Sequence, residues 1–337
     1  MKYLSSKKMQ NFLSALAKLS RLVVPVKKDD GATAFAEYRE ETPVFLEGRT
    51  DFSPKAFFLP ERENIAAFEK TAKGDYAIKA TKDESKRIVF GIRPCDLHAL
   101  AVMDEILVKY FFPERNYEAR RKNSILIAIE CKEPCGKESF CSSLGTNIPK
   151  GHDVLLTPMK DGFGIKAETE KGKGLLGIKE IAALLEGREI VMAPQAFESK
   201  SRIDSRGIAE MLKRNFESKV WKQEGERCLN CTSCTQVCPS CYCFYIKDEL
   251  SLEEGKSKRI RCLDSCFLDR FSRISKEVVF RKSNAAKLRQ FVCHNFYYSV
   301  EKHNITKCVG CGRCIEVCPV KISITDVLKK IKAEDKA

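Results

Sequence analysis

A chain of 337 residues with 43% hydrophobic side chains can build two ordinary cores, and none of its apolar runs reaches the length that crosses a bilayer, so no membrane insertion is expected. Its formal charge of +14 comes without any nucleic-acid-binding motif, which argues against a nucleic-acid partner. Its 17 cysteines would mean a disulfide scaffold only in a secreted protein, but Lys18 and Arg21 interrupt any signal-peptide core, and a reducing cytoplasm is the expected setting.

In chain order, Phe12, Leu13, Leu16 and Leu19 recur at helical spacing and predict an amphipathic first helix within Met1 to Val26. Apolar runs predict strands at Pro43 to Glu47, Ala56 to Leu59, Arg87 to Ile92, Ser124 to Glu130, Val154 to Thr157 and Ile190 to Ala193. Helical patterns cover Asp96 to Lys109 and Leu175 to Leu185. This alternation predicts an α/β-type sheet domain over residues 1–200, with the polar segment Pro194 to Arg206 as its boundary. Further helices are predicted at about Ser205 to Trp221, Asp264 to Val278 and Ser283 to Tyr298, which makes residues 201–337 a helical ferredoxin-like domain and the whole chain α+β.

The second half carries one cysteine run twice, as Cys228-x2-Cys231-x2-Cys234-x3-Cys238-Pro239 and Cys308-x2-Cys311-x2-Cys314-x3-Cys318-Pro319. In this ferredoxin spacing three thiolates wrap one cubane [4Fe-4S] cluster and the fourth cysteine crosses to the other. Cys228, Cys231, Cys234 and Cys318 are therefore expected at one cluster, and Cys308, Cys311, Cys314 and Cys238 at the second. Zinc usually takes two separated pairs or a Cys/His mixture, and neither run contains histidine. Each oxidised four-thiolate cubane carries roughly −2, so three would lower the net charge to about +8. The basic residues around Lys256 to Arg261 and Arg281 to Arg289 read first as a solvated face and second as a docking surface for an acidic partner subunit or a ferredoxin. Lys307 immediately before the second run and Arg313 within it are candidates for raising one cluster's potential.

Cys95 follows one predicted strand, and Cys131, Cys135 and Cys141 follow another; if the two strands are neighbours, all four thiols leave the same sheet edge. On spacing alone a third [4Fe-4S] cluster, buried free thiols and zinc all remain open. Cys241, Cys243, Cys262, Cys266 and Cys293 have no assigned role, although Cys266 could fold back on the dense Cys238 to Cys243 segment. The G-x-G-x-x-G match at Gly172 to Gly177 lacks the acidic residue a dinucleotide site needs and reads as a flexible turn with a helix start. His98, His152, His294 and His303 are scattered, Asp96 reads as a helix cap, and no nucleophile and base stand at motif spacing, so no catalytic residue is assigned.

Several segments resemble one family in the same order: Ile92 to Leu97, Cys131 to Thr146, Cys228 to Cys243, Asp264-Ser265-Cys266 and Cys308 to Pro319. That pattern is similar to the iron-sulfur subunit of anaerobic sulfite reductase and to the beta subunit of cytoplasmic sulfhydrogenases. The resemblance covers nearly the whole chain. It implies an electron-transfer subunit with two or three [4Fe-4S] clusters and no flavin of its own, working between a flavin- and NAD(P)-binding subunit and a catalytic subunit. It also favours the third cluster. Where the family has Cys-Phe-Cys this chain has Ser139-Phe140-Cys141, so Cys135 would supply the missing thiolate. The competing expectation is a self-contained flavin or thiol redox enzyme built on the N-terminal domain.

Overall fold

The computed structural model describes residues 2–187, 197–251 and 255–335. In chain order the strands are β1 (Lys2–Ser5), β2 (Arg21–Lys27), β3 (Thr33–Glu37), β4 (Arg62–Lys70), β5 (Tyr76–Ala80) and β6 (Arg87–Ile92). They continue with β7 (Ser124–Ile129), β8 (Val154–Met159), β9 (Gly162–Ala167), β10 (Glu186–Gly187), β11 (Phe244–Leu250) and β12 (Lys256–Leu263).

An eight-stranded sheet runs in the order β10-β1-β9-β8-β7-β6-β2-β3. Its centre, β2-β6-β7-β8, is parallel, and its outer strands pair antiparallel. Parallel strands are buried on both faces, and β6 has every residue buried. Ile88 and Phe90 face the core that holds Phe12, Leu13 and Leu16 of the Met9–Leu19 helix. Val89 faces the core built from Leu97, Leu100 and Met103 of the Pro94–Asp104 helix, the alternation a strand imposes.

The second sheet, β11-β12-β4-β5, draws on both halves of the chain, because β12 pairs with β4 across seven residues from Lys256↔Glu69 to Cys262↔Arg62. Glu63 of β4 is buried between Arg120 and Arg261 and binds both, which locks this sheet to the helix Arg115–Lys122. The remaining core is helical, around Trp221, Leu288, Phe291 and Phe296, with half-buried cysteines of both runs packed against it.

Several expectations need correction. Ala56 to Leu59 is not a strand: Pro54 starts a 3-10 turn capped by Ser53. Pro43 to Glu47 contributes only the single bridge Val44↔Val26. Asp264 to Val278 is a loop with two short 3-10 turns, because Asp264 and Ser265 spend their side chains on local hydrogen bonds instead of opening a helix. Ser205 to Trp221 is broken into Ile208–Arg214 and a second helix starting at Val220, and Leu175 to Leu185 is interrupted at Ile178. The strand expected at Ile190 to Ala193 lies outside the described residues, as does the start of the Pro194 to Arg206 segment.

Candidate metal centres

The two cysteine runs share one backbone. Asn230 and Thr232 of the first run have φ of 53° and 65°, and Gly310 and Gly312 at the matching places of the second have 63° and 79°. These left-handed residues turn each chain between successive cysteines, and a short helix, Ser233–Gln236 or Arg313–Glu316, follows. A cavity is lined by Cys228, Cys231, Cys234 and Cys318, with Cys314 also at its wall. A second is lined by Cys238, Cys308, Cys311 and Cys314. The fourth cysteine of each run thus sits with the first three of the other. Backbone N–H groups point at sulfur in the second run: Gly310 donates to Cys308 Sγ at 3.4 Å and Ile322 to Cys318 Sγ at 3.3 Å.

The strands β6 and β7 are adjacent and parallel, so the loops carrying Cys95 and Cys131 leave the same edge. A bulge at Gly91 shifts the β6 register; its φ is +80°, and a Cβ there would stand 2.9 Å from the Pro25 ring. Pro94 then opens the helix that holds Cys95 in its first turn. Cys95 lies in electrostatic reach of Cys135 and Cys311, and Cys131 in reach of Cys135 and Cys141. Cys135 is therefore the residue common to the group. Cys95 and Cys311 also share a small buried cluster, so the N-terminal thiols abut the second run directly.

Burial raises most of these thiols. Cys131 is pushed up to about 12, and Cys234, Cys308 and Cys314 are raised as well, so as bare thiols they would be protonated at neutral pH. The surroundings are nevertheless built for negative charge. Arg93 is buried, and its guanidinium donates to Gly48 O at 3.0 Å and to Glu130 O at 3.3 Å, with Cys131 in its electrostatic reach. Lys307 is 1% exposed and donates to Cys241 Sγ at 3.4 Å and Asn295 Oδ1 at 3.3 Å. Lys55 is buried and donates to the carbonyls of Cys238 and Cys241 at 2.8 and 3.0 Å. Burial lowers the Lys55 ammonium, whereas at Lys307 the thiols of Cys241, Cys238 and Cys243 outweigh burial and raise it. None of the ion pairs formed among the described residues gives Arg93, Lys55 or Lys307 a carboxylate. These cations are held by carbonyl and amide oxygens and by sulfur, without a carboxylate, so ionised sulfur nearby would balance their charge, and metal ligation is what deprotonates a thiol whose own acidity is this weak.

Arg313 has a different role from the one its position suggests. It is fully buried and forms a two-pronged pair with Asp96, at 2.6 and 3.0 Å, and donates to Thr50 O at 2.8 Å. Asp96 is thus the partner of Arg313, and the helix cap is Arg93. Arg49, in reach of Cys135 and Cys311, pairs with Glu316. Sequence reasoning missed Arg49, Lys55 and Arg93, which carry no motif and are far from the cysteines in the chain.

Among the described residues no three His, Cys, Asp or Glu close around one point as a single metal ion requires. His98 bonds the Ile148 carbonyl at 2.9 Å, and Gly172 to Gly177 lies within the helix Glu170–Gly177, capped by Thr169, not in a turn feeding a helix. No helix of the described residues is long and apolar enough to cross a membrane.

Residues 227–322 match the family model of the 4Fe-4S dicluster domain. No solved structure matches the chain. Over 340 aligned residues it is 29% identical to the beta subunit of sulfhydrogenase 2 from Pyrococcus furiosus, with 98% of this chain and 97% of that one covered. The chain therefore carries a 4Fe-4S dicluster domain and is similar, from end to end, to a sulfhydrogenase beta subunit.

Proposed function

We propose that this chain is the electron-transfer subunit of a cytoplasmic oxidoreductase of the sulfhydrogenase or anaerobic sulfite reductase kind. It would relay single electrons between a flavin- and NAD(P)-binding partner and a catalytic subunit. Cys228, Cys231, Cys234 and Cys318 hold one [4Fe-4S] cluster, Cys308, Cys311, Cys314 and Cys238 a second, and Cys95, Cys131, Cys135 and Cys141 a third. When bound, such clusters supply reversible one-electron storage.

The observation that carries this reading is the convergence of the two runs, in which Cys318 lines one cavity with Cys228, Cys231 and Cys234 and Cys238 lines the other with Cys308, Cys311 and Cys314, with buried Lys55 and Lys307 in electrostatic reach of Cys238 and buried Arg93 in reach of Cys131. The arrangement is also that of a wire. Cys314 lines the cavities of both runs, and Cys311 shares a small buried cluster with Cys95, so the second run stands between the first and the N-terminal thiols. Cys231 is exposed, with Leu229 62% exposed beside it, and this rim is where a partner would exchange electrons with the chain. The chain's own residues hold the charge balance and direct backbone N–H groups at sulfur, the two levers that set a cluster's potential.

Iron and acid-labile sulfide on anaerobically purified protein test this directly. About twelve of each per chain, with interacting EPR signals on reduction, is the expected result. About eight would remove the N-terminal group from the wire, and zinc without iron would reject the relay.

A further inference from the structure

The helix Pro94–Asp104 runs on into a single π-helical turn, Glu105–Lys109, a form that recurs at functional sites, and then into three consecutive aromatics, Tyr110, Phe111 and Phe112. Tyr110 is pinned to the C-terminal half. Its ring meets the His303 ring edge-on with centres 4.4 Å apart, and the Lys302 ammonium stands 4.9 Å from its centre. Phe111 lies against Tyr110 at 5.4 Å and Phe112 against Phe111 at 6.1 Å, yet these two rings are 81% and 86% exposed. The base of this tip is fixed while its end stands in solvent. Paired rings this bare, on a base held by the other half of the molecule, are a patch and not a scattered surface residue.

Between the same two segments an open crevice is lined by Val102 and Glu105 from the helix and its π-turn and by Ile305, Thr306 and Cys308 from the other side. Cys308 is the first cysteine of the second run, so the crevice leads from solvent to the ligands of the second cluster. The surface around the tip is positive. Lys302 and Arg115 are exposed, and neither pairs with a carboxylate among the described residues. The neighbouring acids are already taken, Glu105 by Lys109, Glu301 by Lys213 and Glu114 by Arg261. Arg281 adds to the field, since Lys302 and Arg281 both act on His294. A second copy of this chain would bring like charge to like charge. The complementary occupant is an acidic face, and a crevice that ends at a cluster ligand suits a partner with a redox centre behind that face.

We propose that the aromatic tip at Tyr110 to Phe112 and the Cys308 crevice form a docking port for an acidic electron-carrier protein. The port rests on the relay reading above and stands apart from the Cys231 rim, giving the second cluster an opening of its own. Phe111 and Phe112 enter the apolar centre of the contact, and Lys302 and Arg115 belong to its charged rim. One electron leaves the reduced carrier and enters the oxidised second cluster, so the carrier is oxidised, the cluster is reduced and no bond is made or broken.

The test uses the full chain, purified anaerobically with its clusters and mixed in stopped flow with a fully reduced acidic flavodoxin, whose semiquinone colour reports the electron it gives up. The wild-type rate constant should fall about tenfold or more between low salt and about 1 M salt. Lys302→Glu combined with Arg115→Glu should lower the low-salt rate about tenfold and flatten its salt dependence. Phe111→Ser combined with Phe112→Ser should lower the rate about tenfold and keep the salt dependence. Reduced methyl viologen, a small dye that needs no docking, should bring all three proteins to the same final reduction, and their iron contents should be equal. A wild-type rate indifferent to salt would overturn the proposal, and that readout decides even if a variant loses iron. Variants that match the wild type with flavodoxin would also overturn it. So would a dimer in gel filtration that the Phe111 and Phe112 substitutions dissolve, because the tip would then be a self-contact. Protein without iron, or without electron uptake from viologen, would sink the relay reading and the port with it, whereas viologen uptake without salt-dependent flavodoxin transfer would sink the port alone.

Discussion

At the scale of single residues, Lys307 and His294 have the clearest consequences. Lys307 places a buried positive charge against Cys241, in reach of Cys238, and a nearby cation favours the more negative, reduced form of a cluster. Lys307→Gln keeps a donor and removes the charge. It should lower the midpoint potential of one cluster, and each 1.4 kcal/mol lost reads as about 59 mV in a one-electron couple. Redox titration followed by EPR checks this, and an unchanged set of midpoints would refute it. Arg313 is the poorer probe, because replacing it leaves Asp96 a buried unpaired carboxylate and tests the fold instead. His294 lies 3.2 Å from the Tyr242 hydroxyl, and burial, helped by the Lys307 charge, lowers its pKa from 6.5 to about 3. The folded state therefore keeps this ring neutral while the unfolded chain takes up a proton below pH 6.5. Stability is whole above that pH and falls as pH drops toward 3. Between pH 7 and pH 5 the loss amounts to about 2 kcal/mol. His294→Gln should remove that part of the acid sensitivity in urea unfolding at the two pH values. Equal slopes in the two proteins would show that His294 does not carry it.

At the scale of elements, the two cysteine loops lie against each other with no room between their backbones. Phe140 N–H donates to Gly310 O at 2.7 Å, and the Thr146 hydroxyl donates to Val309 O at 2.6 Å. A Cβ on Gly312 would stand 2.6 Å from the Glu138 carbonyl carbon and 2.7 Å from Ser139 N. Thr232, at the same place in the first run, carries its side chain at φ 65° and is only half-buried. Gly312→Ala should therefore cost about four or more irons per chain, whereas Thr232→Gly should leave the count unchanged. Equal iron in both variants would show that this close approach does not matter. The contrast also marks what was legible in the sequence. The run spacing named the two sets of cysteines that line the two cavities, and the apolar runs located β6, β7 and β8, because each signal is local. The hairpins β4-β5 and β11-β12 were not legible: β11 alternates exposed and half-buried residues and β5 is mostly exposed, so neither shows a buried face. The buried cations were invisible for the opposite reason, since Arg49, Lys55 and Arg93 acquire meaning only from cysteines distant in the chain.

At the scale of the whole molecule, the division at residue 200 that composition suggests is crossed by contacts that neither part can replace. Strand β12 lies between β11 and β4, so residues 201–337 alone would present it as a bare edge. The same cut leaves Arg261 without Glu63 and Arg313 without Asp96, two buried cations stripped of their carboxylates. Breaking a buried pair by removing one partner costs about 3–5 kcal/mol, and two such losses approach the whole stability of an ordinary domain. The N-terminal part would in turn lose Gly310 and Gly312, against which the Glu138 to Cys141 segment is seated. A fragment of residues 201–337 should therefore fail to accumulate as a soluble protein with about eight irons, although it contains every cysteine of both runs. Co-expression with residues 1–200 should restore a complex that co-elutes in gel filtration with its full iron content. If the fragment alone folds and holds about eight irons, the two parts are independent modules, and the buried pairs between them tune the clusters without being needed to assemble them.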